Sequence, residues 1–339
     1  METIGIIGGG SFGSAIADIA GTRGHRVLHW FRDPAAAERF NATHENAKYL
    51  PGFKLSENIA ATDDLERVAR SSMIFVSVPS PHFREVARKL GDWVDGSRIL
   101  VSTTKGIEAG TFKLMTEILR EETPCLKIGA ISGPNLAKEI AAKVPSGTVI
   151  ASRYDEVIGR VQDALSGPYF RVYSNHDVNG VELAGVLKNV YAIATGLVNA
   201  LKMGDNTMGM LITRGLAEMS RFAEKMGSNP ITFLGLAGVG DLVTTCTSPL
   251  SRNFRVGRLL GQGRTLDEAV KEIGEVAEGV NTVRIVMARL PALGIRMHIL
   301  EGLHALMFEG KDLPTVLQQL MTVPQMSDVE FATRGPSPA

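Results

Sequence analysis

Lys188 and Asn189 stand side by side in "GVLKNVYA", within a stretch whose other residues are mostly apolar. A helix of that composition lies inside a protein, and a buried ammonium is costly unless it is paired. An ammonium so placed can polarise a carbonyl oxygen and protonate it, or, when neutral, take a proton from an alcohol. Asn189 points about 100° further round the helix and offers a hydrogen-bonding amide to the same neighbourhood. A second group is "GGGSFG", which sets Gly8, Gly10 and Gly13 in GxGxxG spacing, with Ser11 and Phe12 at the start of the helix that follows. Glycines there let the backbone approach a pyrophosphate, and the helix amino terminus offers unpaired N–H groups. A third is "SPLSRNF". Ser251 is placed to cap a helix, and Arg252 and Asn253 at its start make a site for phosphate.

Two further positions extend the anion-binding set. The strand "RVLHWF" ends at Arg32 followed by Asp33. An acidic residue here suits the ribose hydroxyls of NAD, whereas arginine suits the 2′-phosphate of NADP. The order of the pair favours NADPH over NADH, with both retained as cofactor candidates. Lys105 follows the strand in "SRILVSTTKGIE", and "SVPS" ends another strand at Ser80. Ligands in open α/β sheets bind beyond the carboxyl ends of strands, so both loops face the expected site.

The elements that must position these residues follow a simple pattern. "TIGIIG", "RVLHWF", "MIFVSVPS", "SRILVSTT", "KIGAIS" and "GTVIAS" read as strands, with helical spacing over Ser11–Arg23, Pro81–Leu90 and Thr111–Glu122. Apolar strands alternating with helices imply an α/β, doubly wound, mostly parallel sheet covered on both faces. Beyond residue 177 the pattern is helical: Asn179–Leu201, Met208–Met226, Phe254–Leu260, Gly279–Leu290 and Arg296–Phe308. The expected organisation is a dinucleotide-binding domain over 1–177, an all-helical domain over 178–333 and a tail over 334–339.

Bulk composition excludes several classes. The 339 residues carry 36 Lys plus Arg against 36 Asp plus Glu, which argues against a general nucleic-acid binder. The two cysteines, Cys125 and Cys246, and the seven histidines show no zinc spacing, so no metal is expected. "TIGIIGGG" leaves no room for a signal peptide ahead of the first strand, and no unbroken apolar run approaches the ~18 residues of a membrane span. The expected setting is the cytoplasm, without stable membrane insertion.

Taken together, "GGGSFG", "NAKYLPG", "TTKGIE", "SGPNLAKE", "GVELAGVLKNVYAIATGL", "GDNTMGMLITRGLAEM", "AGVGDLVTTC", "SPLSRNFRVG" and "EVAEGVNTV" resemble the bacterial-type NAD(P)-dependent glycerol-3-phosphate dehydrogenases along nearly the whole chain. The resemblance implies a Rossmann domain followed by an all-α domain of the 6-phosphogluconate dehydrogenase C-terminal type. It implies reversible reduction of dihydroxyacetone phosphate to sn-glycerol 3-phosphate for glycerophospholipid synthesis, in a homodimer. Matched motif by motif, Lys188 falls at the catalytic lysine and Asp241 at its partner. Gly133, Asn135, Ser251, Arg252 and Asn253 fall at substrate contacts together with Lys105. Tyr49, Ala137, Val276 and Glu278 join Gly8, Gly10, Ser11, Phe12, Gly13, Arg32, Asp33, Lys105 and Arg252 as cofactor contacts.

Asn135 stands where the family has Ser or Thr, and Phe12 where it has Trp; neither change removes a charge the chemistry needs. Thr244 and Thr245 in "DLVTTC" remain open between a hydroxyl near the substrate and helix packing. Two other functions also stay open: a related two-domain hydroxyacid dehydrogenase, and a non-catalytic dinucleotide sensor.

Overall fold

A computed structural model of the protein describes residues 2–274 and 277–324, so the tail expected over 334–339 lies outside the described residues. The chain forms two compact units, Met1–Glu182 and Leu183–Ala339.

The first unit is built on an eight-stranded sheet. Its strands are β1 (Thr3–Ile7), β2 (Arg26–Trp30), β3 (Ile59–Thr62), β4 (Met73–Val76), β5 (Ile99–Ser102), β6 (Ile128–Ser132), β7 (Ser146–Ser152) and β8 (Phe170–Asn175). They lie in the order β3-β2-β1-β4-β5-β6-β7-β8. All neighbours are parallel except β6 and β7. Alternation along each strand supplies two cores. Ile4, Ile6, Phe75 and Val101 face the side covered by the helices Ser11–Thr22 and Asp155–Leu165. Ile7, Ile74, Val76 and Leu100 face the other side, covered by the helices Phe83–Gly91 and Met115–Glu122. Burial on both faces explains why these strands read as unbroken apolar runs.

The two strands that sequence reading omits, β3 and β8, are the two edges of the sheet. β3 alternates buried Ile59 and Ala61 with half-buried Ala60 and Thr62, and β8 alternates buried Phe170 and Val172 with exposed Arg171 and Tyr173. Neither presents an apolar run, because an edge strand is only partly covered. The helix expected from Thr111 begins instead at Met115, after a turn over residues 109–111 and a bridge at Leu114.

In the second unit every described element is helical. The helix Val178–Ala200 passes through the unit boundary, and residues 180–198 are buried without a break. By length and mean hydropathy this helix meets the requirement for crossing a membrane, even though Glu182 and Lys188 interrupt its apolar run; it is a core helix of the protein. It crosses the helix Arg252–Gly261 at very short range. A Cβ on Gly196 would lie 2.0 Å from the Phe254 carbonyl oxygen, and one on Gly257 would lie 1.8 Å from that of Ile193. No residue but glycine fits at either point.

Deeper in this unit the Tyr191 hydroxyl donates to Glu218 Oε2 (3.0 Å), and the Ile299 N–H donates to Glu218 Oε1 (2.9 Å). One carboxylate thereby joins the helices Val178–Ala200, Asp205–Lys225 and His298–Phe308. Burial pushes the Glu218 carboxyl up to about 7, against the opposing pull of its donors. A carboxyl raised on folding contributes stability that is complete below its unfolded value near 4.5 and is lost as the pH rises through about 7. Denaturant unfolding across this window is expected to show the native chain losing about 3 kcal/mol relative to the Glu218→Gln variant. Parallel stability curves for the two proteins would refute this.

Candidate active site

The glycine loop leaves β1 at the point where the sheet reverses its strand order, between β1 and β4. This is where doubly wound folds bind ligands. Gly8 sits at φ +120°, and a Cβ there would lie 2.4 Å from the Ser77 carbonyl oxygen beyond β4. A Cβ on Gly13 would lie 2.3 Å from the Gly8 oxygen. Around Gly10, by contrast, nothing beyond its neighbours along the chain comes within 4 Å of a built Cβ. Two glycines are thus required by the chain's own packing, while the third borders open space. Gly10 precedes the helix Ser11–Thr22 with no side chain capping it, so Ser11 and Phe12 present the N–H groups of an uncapped first turn. This cradle fits a dinucleotide pyrophosphate.

Residues that sequence reading set aside or missed hold the loop in place. His29 Nε2 lies 3.0 Å from the Gly8 oxygen, and because a carbonyl only accepts, Nε2 carries the proton. Burial pushes this imidazole down to about 4, so it is neutral at physiological pH. The Asn46 amide donates to the Gly9 oxygen (2.8 Å) and to Ser14 Oγ (2.8 Å), and its oxygen accepts from the Tyr49 N–H (3.3 Å). "NAKYLPG" is thereby tied to the loop, with the Tyr49 ring exposed. Arg32 is exposed at the end of β2. Asp33 caps the helix Pro34–Thr43 through the Ala35 N–H (3.1 Å) and pairs with Arg39 (3.4 Å), so its carboxylate already has local work.

At the ends of β5 and β6, Lys105 Nζ donates to the Gly133 oxygen (2.9 Å). Asn135 Nδ2 donates to Thr148 Oγ1 (3.0 Å), which in turn donates to the Ser132 oxygen (3.0 Å). Asn135 Oδ1 is buried without a protein partner, as is Ser132 Oγ. Ala137 opens the helix Ala137–Ala141 that follows. Lys105, Gly133 and Asn135 thus gather at one end of the sheet.

In the second unit Lys188 is 5 % exposed and Asp241 1 % exposed. Lys188 Nζ is hydrogen-bonded to Asp241 Oδ1 and lies 2.5 Å from Thr245 Oγ1. Thr245 Oγ1 also lies 3.3 Å from Asp241 Oδ1. Asp241 begins the helix Asp241–Thr247 directly after a π-helical turn, Leu236–Gly240. Such turns recur at functional sites because they redirect a side chain. Thr245 is the partner that sequence reading left undecided; its spacing of four from Asp241 puts both on one helix face. Thr244 instead bonds back to the Gly240 oxygen (3.0 Å). Cys246 is a buried thiol pushed up to about 12 by burial, which leaves it uncharged.

Asn189 and Asn253 form a strut. Asn253 Nδ2 donates to Asn189 Oδ1 (2.9 Å), and Asn253 Oδ1 accepts from the Gly279 N–H (3.0 Å). Ser251 caps the helix Arg252–Gly261 through the Phe254 N–H (3.3 Å), and Arg252 is exposed at its first position. Glu278 opens the helix Glu278–Leu293. Val276 lies outside the described residues.

A glycine loop at the switch point of a mostly parallel sheet, followed by a helical unit with a buried lysine, defines a two-unit dinucleotide-dependent oxidoreductase. Residues 3–158 match the NAD-dependent glycerol-3-phosphate dehydrogenase N-terminus, and residues 177–318 match the C-terminus of the same family. Glycerol-3-phosphate dehydrogenase [NAD(P)+] of Saccharophagus degradans is 52 % identical over 97 % of this chain and 92 % of its own length. That of Azotobacter vinelandii is 51 % identical over 97 % of both. The crystal structure of the Coxiella burnetii enzyme superposes with a TM-score of 0.90 at 36 % identity, covering 95 % of this chain and 99 % of that one. The chain belongs to the NAD-dependent glycerol-3-phosphate dehydrogenase family.

The asymmetry among the glycines separates folding from binding. Gly10→Ala is expected to change unfolding free energy by no more than about 1 kcal/mol, the ordinary scale of an N-cap change, while weakening NADPH binding. Gly13→Ala is expected to destabilise the protein as well. Equal NADPH affinity in Gly10→Ala and the native chain, read by fluorescence titration, would contradict the cradle.

Proposed function

We propose that this protein catalyses the reversible NAD(P)H-dependent reduction of dihydroxyacetone phosphate to sn-glycerol 3-phosphate, with Lys188 as the general acid. The observation that carries this reading is a buried lysine bonded to both Asp241 and Thr245. NAD(P)H, when bound, supplies the hydride. Gly8, Gly10, Gly13, Ser11 and Phe12 hold its pyrophosphate, Arg32 holds a 2′-phosphate, and Asp33, Tyr49, Ala137 and Glu278 border it. Lys105, Gly133 and Asn135 bind substrate, and so do Ser251, Arg252 and Asn253, with Arg252 also against the cofactor.

The Lys188 ammonium polarises the ketone oxygen and protonates it as the carbon is reduced; in the reverse direction the neutral amine accepts the hydroxyl proton. Asp241 and Thr245 hold the Nζ in place, and Asp241 balances the charge that burial would otherwise disfavour. Asn189, steadied by Asn253, orients the substrate beside it. The two-domain boundary at residue 177, a homodimer, a cytoplasmic setting and supply of glycerophospholipid synthesis belong to the same reading.

Lys188→Ala is expected to lower turnover at least about a hundredfold while NADPH still binds. Near-normal turnover would refute the role. In the native enzyme, dihydroxyacetone phosphate is expected to be reduced far faster than dihydroxyacetone, and equal rates would refute the substrate. Arg32→Ala is expected to weaken NADPH much more than NADH. A similar loss for both would show that Arg32 does not hold a 2′-phosphate.

A further inference from the structure

Lys105 leaves the sheet beyond β5 on an irregular segment, residues 103–114. This segment doubles back on itself. The Glu108 N–H donates to the Lys113 oxygen (2.9 Å), and the Phe112 N–H donates to the Glu108 oxygen (3.0 Å). A bridge joins Ile107 to Leu114. Phe112 stands at φ +62°, a left-handed conformation that a bulky residue adopts only where its surroundings impose it.

Arg84, on the helix Phe83–Gly91, grips the segment from outside. Its Nε lies 2.5 Å from Glu108 Oε1 and its Nη2 2.7 Å from Oε2, a two-pronged fork. Glu108 also accepts from the Thr111 hydroxyl. Arg84 donates further to Glu121 (3.0 Å) and to Glu122, both in the last turn of the helix Met115–Glu122. Arg88 pairs with Glu122 (3.0 Å) and Lys113 with Glu121. Three cations therefore balance three carboxylates. Glu108 and Lys113 are the members on irregular chain, so the network fastens both limbs of the turn to two helices. The Arg84 and Glu108 side chains are only 25 % and 20 % exposed, which shields the fork from solvent screening. The Glu108 carboxyl is held low, chiefly by Arg84. Gly106 lies against the turn that leads into the helix Phe83–Gly91, where a Cβ would come 2.2 Å from that of Ser80.

We propose that the Arg84–Glu108 fork is a positioning pair that sets where Lys105 reaches, and so governs affinity for the phosphate-bearing ketone without touching it. This rests on the reading of Lys105 as a substrate contact. The two-pronged fork fixes both the distance and the orientation of Glu108, three residues after Lys105, which a single-point contact would not.

The test is a double-mutant cycle in KM for dihydroxyacetone phosphate, with KM for NADPH and the melting temperature read alongside. Glu108→Ala is expected to raise KM for the ketone about tenfold and to raise KM for NADPH less, since Lys105 also stands among the cofactor contacts. In a Lys105→Ala background it should add nothing. Arg84→Lys keeps the charge but not the fork, and should resemble Glu108→Ala. Should Glu108→Ala fail to fold, the same cycle is run with Glu108→Gln. An unchanged KM for the ketone, or effects of Glu108 and Lys105 that multiply independently, would overturn the proposal. Lys105→Ala without effect on that KM would overturn the reading of Lys105 itself, and this proposal with it.

Discussion

The buried ion pair between Lys188 and Asp241 is the constraint around which the second unit is arranged. Two opposite charges taken out of water lose hydration that their mutual attraction only partly returns. An apolar pair of the same volume would suit a core helix better. The surrounding residues reduce the cost without removing it. Thr245 adds a hydroxyl to the ammonium, and Asp241 follows directly on the π-helical turn. The glycine crossing at Gly196 and Gly257 brings the helix Arg252–Gly261 close enough for Asn253 to brace Asn189, the neighbour of Lys188. The general-acid role proposed for Lys188 accounts for a buried charge that packing alone would not require.

The first unit works by a different principle. It supplies backbone rather than charge where the pyrophosphate is expected, and it uses side chains to stop that backbone moving. At Gly8 the N–H still donates to the Trp30 oxygen (3.2 Å), while the His29 imidazole holds the carbonyl oxygen. Asn46 does the same for Gly9. Both are buried polar side chains whose obvious function is to hold a loop. Preorganised N–H groups stabilise an anion more effectively than mobile ones, because little ordering remains to be done on binding.

Much of this was legible in the residue order, and the omissions have physical causes. Strands covered on both faces announced themselves as apolar runs, and the GxGxxG spacing located the loop. The edge strands β3 and β8 did not, because each alternates buried residues with partly or fully exposed ones. The helix start at Met115 was hidden because Thr111 and Phe112 fit helical spacing while forming a turn held from outside by Arg84. Lys188 was conspicuous as a charge in an apolar stretch, whereas Asp241 was found only through the family resemblance, since 53 residues separate the two. Thr245 had a usable signal in its spacing from Asp241. His29 and Asn46 had none, because what they bond is main chain brought near only by folding.

The most direct test of the claim that the ion pair is kept for chemistry is a stability cycle on Lys188→Met and Asp241→Asn, alone and together, with turnover measured on the same proteins. Each single change leaves a buried charge unpaired and is predicted to cost about 3–5 kcal/mol. The double change is predicted to be more stable than either single one and to remain inactive. Strictly additive losses in stability, or recovery of turnover in the double variant, would contradict the account.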